Sequence, residues 1–309
     1  MRVLLAIGGS TNGIVHLAAI AGRVGLDIDL RALDRMGRET PVLLDLKPSG
    51  QHYMEDFHHA GGLITLLREL KPLLKLDAMT VTGRTLGQEI SAAPASFKQD
   101  VIRAFNDPIY PQGGIAVLHG NLAPGGAIIK QSAADKKLME HEGRAVVFDN
   151  AADLAARIDA PDLDVNADDI LVLKNIGPKG APGMPEAGYL PIPKKLARAG
   201  VKDMVRISDG RMSGTGYGTI VLHVTPEAAV GGPLAQVRTG DRIRLSVKNR
   251  EISLLVTDDE LAQRSRDNVM VEPTAKRGYL KLFLQTVTQA DQGVDFDFLR
   301  AEVRKGSTS

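Results

Sequence analysis

Eight short apolar runs, at 115–118, 127–130, 145–148, 170–173, 204–207, 219–224, 242–247 and 252–256, constrain this chain more than any other feature. They are rich in Val, Ile and Leu and are separated by Gly, Pro and Asp, which is how strands with intervening turns read. So regular a series predicts a barrel-like or sandwich β domain. Segments 150–160, 194–199 and 258–266 are its helical candidates. The series begins just after Asp107-Pro-Ile-Tyr-Pro-Gln-Gly-Gly114, a turn-rich stretch where the character of the chain changes. Residues 1–106 read instead as mixed α/β and mostly helical. A buried strand is expected at 3–7 and a helix at 13–24. A second strand at 42–46 is followed by a turn at 47–50. Helices at 54–60 and 63–70 are broken by Gly61-Gly62, and a short helix follows Thr80-Val-Thr-Gly83. Two domains, 1–106 and 107–309, are therefore expected.

Composition excludes several classes of function. The chain has 309 residues and is 43% hydrophobic, enough for a sizeable core. Lys and Arg number 38 against 37 Asp and Glu, and aromatics are only 4%, so neither a field nor a stacking surface recruits nucleic acid. No apolar run reaches membrane-spanning length and no export signal is evident, so a soluble cytoplasmic protein is expected. With no cysteine, the chain has no disulfide, no thiolate nucleophile and no Cys-based metal site.

Three glycine-rich segments carry candidate chemistry. Gly177-Pro-Lys-Gly-Ala-Pro-Gly-Met-Pro-Glu186 presents a carboxylate, Glu186, after a run that lets backbone approach a ligand closely. A carboxylate is a hard oxygen ligand suited to magnesium, although an isolated Pro-Glu is more often a surface-loop feature. Ser208-Asp-Gly-Arg-Met-Ser-Gly-Thr215 presents Ser213, six residues beyond the 204–207 strand. A serine acts as a base only when a cation or donor array stabilises its alkoxide; otherwise it is a turn residue capping backbone, and spacing alone does not separate the two. Gly8-Gly-Ser-Thr-Asn12, between a strand and a helix, has the form of an anion-binding turn, but Ser10, Thr11 or Asn12 equally suits an ordinary N-cap. Elsewhere the signals are bland. Glu55-Asp-Phe-His58 has a metal-binding spacing in a single copy, and a solvated helix face is the better reading. His223, in an apolar strand, reads as a satisfied core histidine. Asp258-Asp-Glu260 reads as a helix N-terminus.

Together these segments closely resemble the dihydroxy-acid and sugar-acid dehydratases (IlvD/Edd type), and the likeness runs from Gly8 nearly to the C-terminus. The resemblance implies that Glu186 binds magnesium and that Ser213 removes the proton from carbon 2. Ser10, Thr11, Asn12, Arg211 and Thr215 become substrate-binding candidates. It further implies the C-terminal part of an α/β iron–sulfur domain followed by a swivelling β/β/α barrel-like domain. Family members are nearly twice this length, and the cysteines of their cluster (2Fe-2S) and the other magnesium ligands belong to an earlier half. The chain is thus expected to be inactive alone and to need that missing N-terminal half, with homo-oligomers as the family habit.

Substrate clues are weaker. Gly188-Tyr-Leu-Pro-Ile-Pro-Lys-Lys195, Thr219-Ile-Val-Leu-His-Val224, Arg277-Gly-Tyr-Leu-Lys-Leu-Phe-Leu284 and Asp295-Phe-Asp-Phe298 are similar to the pentonate branch, the arabinonate and xylonate dehydratases. Gly210 departs from that branch, which more often shows Ala there. The expected reaction converts a 2,3-dihydroxy carboxylate, in first place an aldonate, to a 2-oxo-3-deoxy acid. The alternatives are dihydroxy-acid dehydration in branched-chain amino-acid synthesis and a non-catalytic remnant.

Overall fold

The computed structural model describes residues 1–47, 50–94, 97–186, 190–212, 217–267 and 275–302. Among these the helices are α1 (Arg2–Ala6), α2 (Asn12–Arg23), α3 (Leu30–Glu39), α4 (Met54–His59), α5 (Gly62–Glu69), α6 (Leu86–Ala92), α7 (Ala151–Arg157), α8 (Lys194–Arg198), α9 (Asp258–Asp267) and α10 (Gly278–Thr286). The strands are β1 (Ala116–Gly120), β2 (Ala123–Ile129), β3 (Glu140–Phe148), β4 (Ile170–Leu173), β5 (Arg206–Ser208), β6 (Ile220–Thr225), β7 (Arg242–Ser246) and β8 (Glu251–Leu254).

The strands close into a barrel in the order β1-β2-β6-β5-β4-β3-β7-β8, with β8 returning to β1 through a parallel pairing of Glu251 and His119. The run β3-β4-β5-β6 is parallel, and β1-β2, β2-β6, β3-β7 and β7-β8 are antiparallel. Side chains alternate across each strand, and that period of two divides the apolar residues between the barrel interior and clusters on its outer surface. Ala116, Leu118, Ile129, Val147, Val172, Ile207, Val221, Leu245 and Ile252 form the interior cluster. Their neighbours one residue away point outward. Phe148, Leu171 and Leu173 pack with Leu154 of α7 and with Leu190 and Met204, whereas Val117 and Ile128 pack with Leu5, Ile14, Leu30 and Leu33 from α1, α2 and α3. The barrel reading of the sequence is thus correct, with α/β character throughout.

The first region departs from expectation in two places. Residues 3–7, expected as a strand, form α1: the Ile7 amide donates to the Val3 carbonyl at 3.0 Å, as a helix requires. A five-residue apolar run is too short for periodicity to choose between helix and strand, and Leu and Ala favour helix. Leu5 joins the cluster beside the barrel while Ala6 joins a separate one with Leu43, Leu44, Leu66, Leu70 and Ile102. Residues 42–46 are extended but make only isolated bridges, Val42 to Tyr110, Leu44 to Ile102 and Leu46 to His52. Gly61, in the left-handed region at φ 96°, ends α4 and starts α5 at the expected break. A buried ion pair fastens this region to the barrel. Asp34 of α3 accepts from Arg250 Nε at 2.7 Å and from the Val117 amide at 3.3 Å.

Candidate active site

The Gly8–Asn12 turn and the Gly177–Glu186 segment, far apart in sequence, meet in space. Asn12 Nδ2 donates to Glu186 Oε1 at 2.6 Å across 174 residues. Asn12 is the first residue of α2 and is buried, as is Thr11 before it. Its own Oδ1 is buried with no hydrogen-bond partner among the described residues, and an orphaned acceptor of that kind costs roughly 1–3 kcal/mol until a donor reaches it. Ser10 caps the turn: its hydroxyl accepts from the Asn12 amide at 3.2 Å. Glu186 is exposed, with one oxygen committed to Asn12.

Met184 and Arg211 join the two later segments. Arg211 Nε donates to the Met184 carbonyl at 2.5 Å. Gly183 and Met184 both have positive φ, 88° and 44°, a conformation that costs Gly little but that other residues rarely adopt. The Met184 side chain is buried, so packing holds the unusual backbone in place. Ser213 and Thr215 lie outside the described residues. The chain on either side of them is fixed: Met212 is buried with Ile220 and Leu222, and Tyr217 offers its carbonyl to Arg206 at 3.1 Å. Asp203 closes the base of this loop by accepting from Arg206 at 2.7 Å and from the Thr219 amide and hydroxyl at 2.8 Å.

Beneath these segments lie two buried carboxylates that the sequence reading did not single out. Asp209, fully buried, accepts from the amides of Ile176 (2.9 Å), Asn175 (3.2 Å) and Ala228 (2.8 Å). Burial pushes its acid up to about 6; the three amides oppose that shift and the negative charge of Glu227 adds to it. Glu227, equally buried, accepts from the amides of Lys179 and Gly180. The glycines of the first segment are sized for this arrangement. A Cβ on Gly177 would fall 2.6 Å from Glu227 Oε2, and one on Gly180 would fall 2.7 Å from the Asn175 backbone. A Cβ on Gly210 would fall 2.6 Å from Ile176 Cγ2. The usable signal for Glu227 was its place, a carboxylate between the fully buried strand β6 and Gly231-Gly232.

His223 corrects one expectation. It is buried in β6, but its Nε2 has no partner among the described residues, and its φ is 56°. Burial and the positive charge of Arg211 lower its pKa to about 4, so the ring is neutral near pH 7. Its amide donates to the Gly210 carbonyl at 3.1 Å, which places it directly behind the Arg211 loop. Glu55 and His58 of α4 sit on a solvent-exposed surface.

Metal chemistry fits this arrangement in part. Among the described residues no group of three or more His, Asp or Glu could hold a metal. Glu186 offers one hard carboxylate, which is what magnesium takes from any single protein segment while keeping waters and substrate as its other ligands. An iron–sulfur cluster does not fit, because the chain has no thiolate to ligate it.

The chain matches two family models, the dihydroxy-acid/6-phosphogluconate dehydratase N-terminal model over residues 1–89 and the C-terminal model over residues 100–294. It therefore belongs to the dihydroxy-acid/6-phosphogluconate dehydratase family. It is 51% identical to the 6-deoxy-6-sulfo-D-gluconate dehydratase of Pseudomonas putida over 304 residues, covering 97% of this chain and 52% of that one. With the L-arabonate dehydratase of Azospirillum brasilense it is 50% identical over 311 residues, covering 97% and 53%. The dihydroxy-acid dehydratase of Methanothrix thermoacetophila is more distant, 41% identical over 297 residues, covering 95% and 54%. The chain spans about half the length of these relatives.

Proposed function

We propose that this chain supplies the later half of a sugar-acid dehydratase that converts a 2,3-dihydroxy carboxylate to a 2-oxo-3-deoxy acid. The observation that carries the reading is the Asn12–Glu186 contact, which brings two of the three candidate segments to one place. The preference for sugar acids over branched-chain dihydroxy acids rests on about 50% identity with relatives named for sugar acids, against 41% with the dihydroxy-acid enzyme.

In this reading Ser213 takes the proton from carbon 2, the bond from carbon 3 to its hydroxyl breaks, that hydroxyl leaves as water, and the enol tautomerises to the 2-oxo acid. Glu186 is the residue that would hold magnesium, which when bound would supply positive charge opposite the developing enediolate. Asn12 orients that carboxylate and offers its orphaned Oδ1 to a substrate hydroxyl. Ser10, Thr11, Arg211 and Thr215 are the remaining candidates for the substrate's oxygens. This chain's residues account for binding and proton removal; the departing hydroxyl needs an acid from elsewhere, since no thiolate for a cluster exists here. The iron–sulfur character of the domain containing 1–106, the boundary at 106/107, the swivelling motion of the barrel domain, assembly with an N-terminal half or as a homo-oligomer, and cytoplasmic residence belong to the same proposal.

The test combines the chain with a cysteine-bearing N-terminal half of the family and follows 2-oxo acid formation from arabinonate, xylonate and 2,3-dihydroxy-3-methylbutanoate. Turnover of the aldonates, abolished by Ser213→Ala with the cluster spectrum intact, is expected. Turnover of the branched-chain substrate alone would move the chain to the other branch. The isolated chain should be colourless and inactive.

A further inference from the structure

Glu227 is buried to 1% exposure, yet no basic side chain among the described residues pairs with it. Its oxygens instead accept from the Lys179 amide at 3.0 Å, from the Gly180 amide at 2.9 Å and from Gln289 Nε2 at 2.7 Å. Gln289 replies through its own oxygen, accepting from the Glu227 amide at 2.9 Å. A buried carboxylate held only by neutral donors is costly to keep unless those donors are fixed in place. Gln289 is fixed. It immediately precedes the 3₁₀ turn Ala290–Gln292, which packs against α2 so tightly that a Cβ on Gly293 would fall 2.4 Å from the Ala19 nitrogen. And α2 is the helix whose first residue, Asn12, holds Glu186.

The contacts therefore form a closed circuit: α2, the 290–292 turn, Gln289, Glu227, the Lys179-Gly180 backbone, Glu186, Asn12 and α2 again. We propose that Glu227 and Gln289 form a positioning pair that fixes the reach of the 177–186 segment, so that the Glu186 carboxylate arrives at Asn12. The catalytic consequence rests on the reading of Glu186 given above; the positioning itself does not. Gly177 completes the device, because only a residue without a Cβ leaves room for the Glu227 carboxylate beneath the segment.

A swap of the two side chains tests this. In Glu227→Gln the new NH2 group must face either Gln289 Nε2 or the Lys179 and Gly180 amides, donor against donor. Adding Gln289→Glu restores an acceptor for that NH2 and for the residue-227 amide, with the same atoms and net charge as the original pair. The readouts are amide hydrogen exchange at Lys179 and Gly180, and the Asn12 side-chain amide resonance, both on the full chain without metal. E227Q should lose about tenfold or more of the protection at both amides, the scale of one lost charge-assisted hydrogen bond. It should also move the Asn12 resonance toward its position in Glu186→Ala. The double variant E227Q/Q289E should return both. Should E227Q not fold, Gln289→Ala removes only the Gln289 donor and is expected to shift the same signals in the same direction.

Unchanged protection, an unmoved Asn12 resonance, or a double variant that behaves as E227Q while barrel signals stay native would each overturn the proposal. In the assembled enzyme, E227Q should raise the magnesium concentration for half-maximal turnover about tenfold, and the double variant should reverse it. If E186A leaves that magnesium dependence unaltered, the metal reading of Glu186 fails, while the exchange and resonance results still decide the positioning pair.

Discussion

Val42, Leu43 and Leu44 of the 42–46 segment are as apolar as strand β4 and almost as buried, yet only β4 becomes part of a sheet. Leu43 and Leu171 are both fully buried. β4 has a parallel neighbour on each side, β3 and β5, within a ring that has no edge. The 42–46 segment meets three different partners, one bridge each. Burial is therefore not what makes a strand here. Closure is, because each barrel strand exchanges its backbone hydrogen bonds with two neighbours, whereas the earlier segment finds its partners in loops and at the end of α1.

That contrast predicts different consequences for the same lesion. Leu118→Ala, inside the barrel, and Leu66→Ala, in the cluster around Leu43, both empty a fully buried site. Each should cost about 2–5 kcal/mol. L118A should raise hydrogen exchange throughout β1, β2, β7 and β8 together. L66A should raise it among residues 42–106 and leave the barrel amides protected. Barrel amides that open in L66A would show one cooperative unit, joined through Asp34 and Arg250, and the contrast would collapse.

How much of this was legible in the sequence follows from the same distinction. The barrel strands were readable because each is a short run rich in Val, Ile and Leu bounded by turn residues. α1 was misread because five apolar residues carry no usable period, and its identity depends on partners such as Leu33 and Ile115 far along the chain. At the site, the glycine-rich segments announced themselves, and Glu186 and Asn12 stood in them. Their contact was not readable, since it spans 174 residues. Asp209 and Glu227 were passed over because an acidic residue in a loop reads as solvated. Only the fold shows that they are buried beneath the backbone they hold.

A second comparison lies within the barrel, between Asp209 and His223, two buried titratable groups flanking Gly210 with opposite pH behaviour. The Asp209 acid is raised to about 6, so the stability linked to its neutral form is complete below its ordinary value of 3.8 and is lost as pH rises through about 6. His223 is lowered from 6.5 to about 4, so its contribution is complete above 6.5 and is lost as pH falls toward about 4. Between pH 4 and 6 the two slopes oppose each other, each amounting to about 3 kcal/mol at most. Removing one should expose the other. Relative to the parent chain in urea unfolding, His223→Gln should lose stability as pH rises from 4 to 6, and Asp209→Asn should gain it. Parallel pH profiles for the two variants would show that neither group titrates as its burial dictates.

The smallest expected effect concerns Gly210, where the Arg211 loop presses on the Asn175–Gly180 turn. Its φ is not positive, so space rather than backbone conformation demands glycine. An added Cβ would lie 2.6 Å from Ile176 Cγ2 and 2.9 Å from Ile176 Cβ. Ile176 is buried, and its amide is the one that Asp209 holds at 2.9 Å. Displacing it strains that hydrogen bond, so Gly210→Ala should cost about 1–3 kcal/mol. Ile176→Ala removes the Cγ2 that collides, at the expense of a cavity. The double variant G210A/I176A should therefore cost less than the sum of the singles, by roughly 1 kcal/mol in thermal or urea unfolding. Additive costs would mean that the loop moves away from the turn as a body, in which case the Asp209 clamp rather than the packing of Ile176 sets how closely the two segments approach.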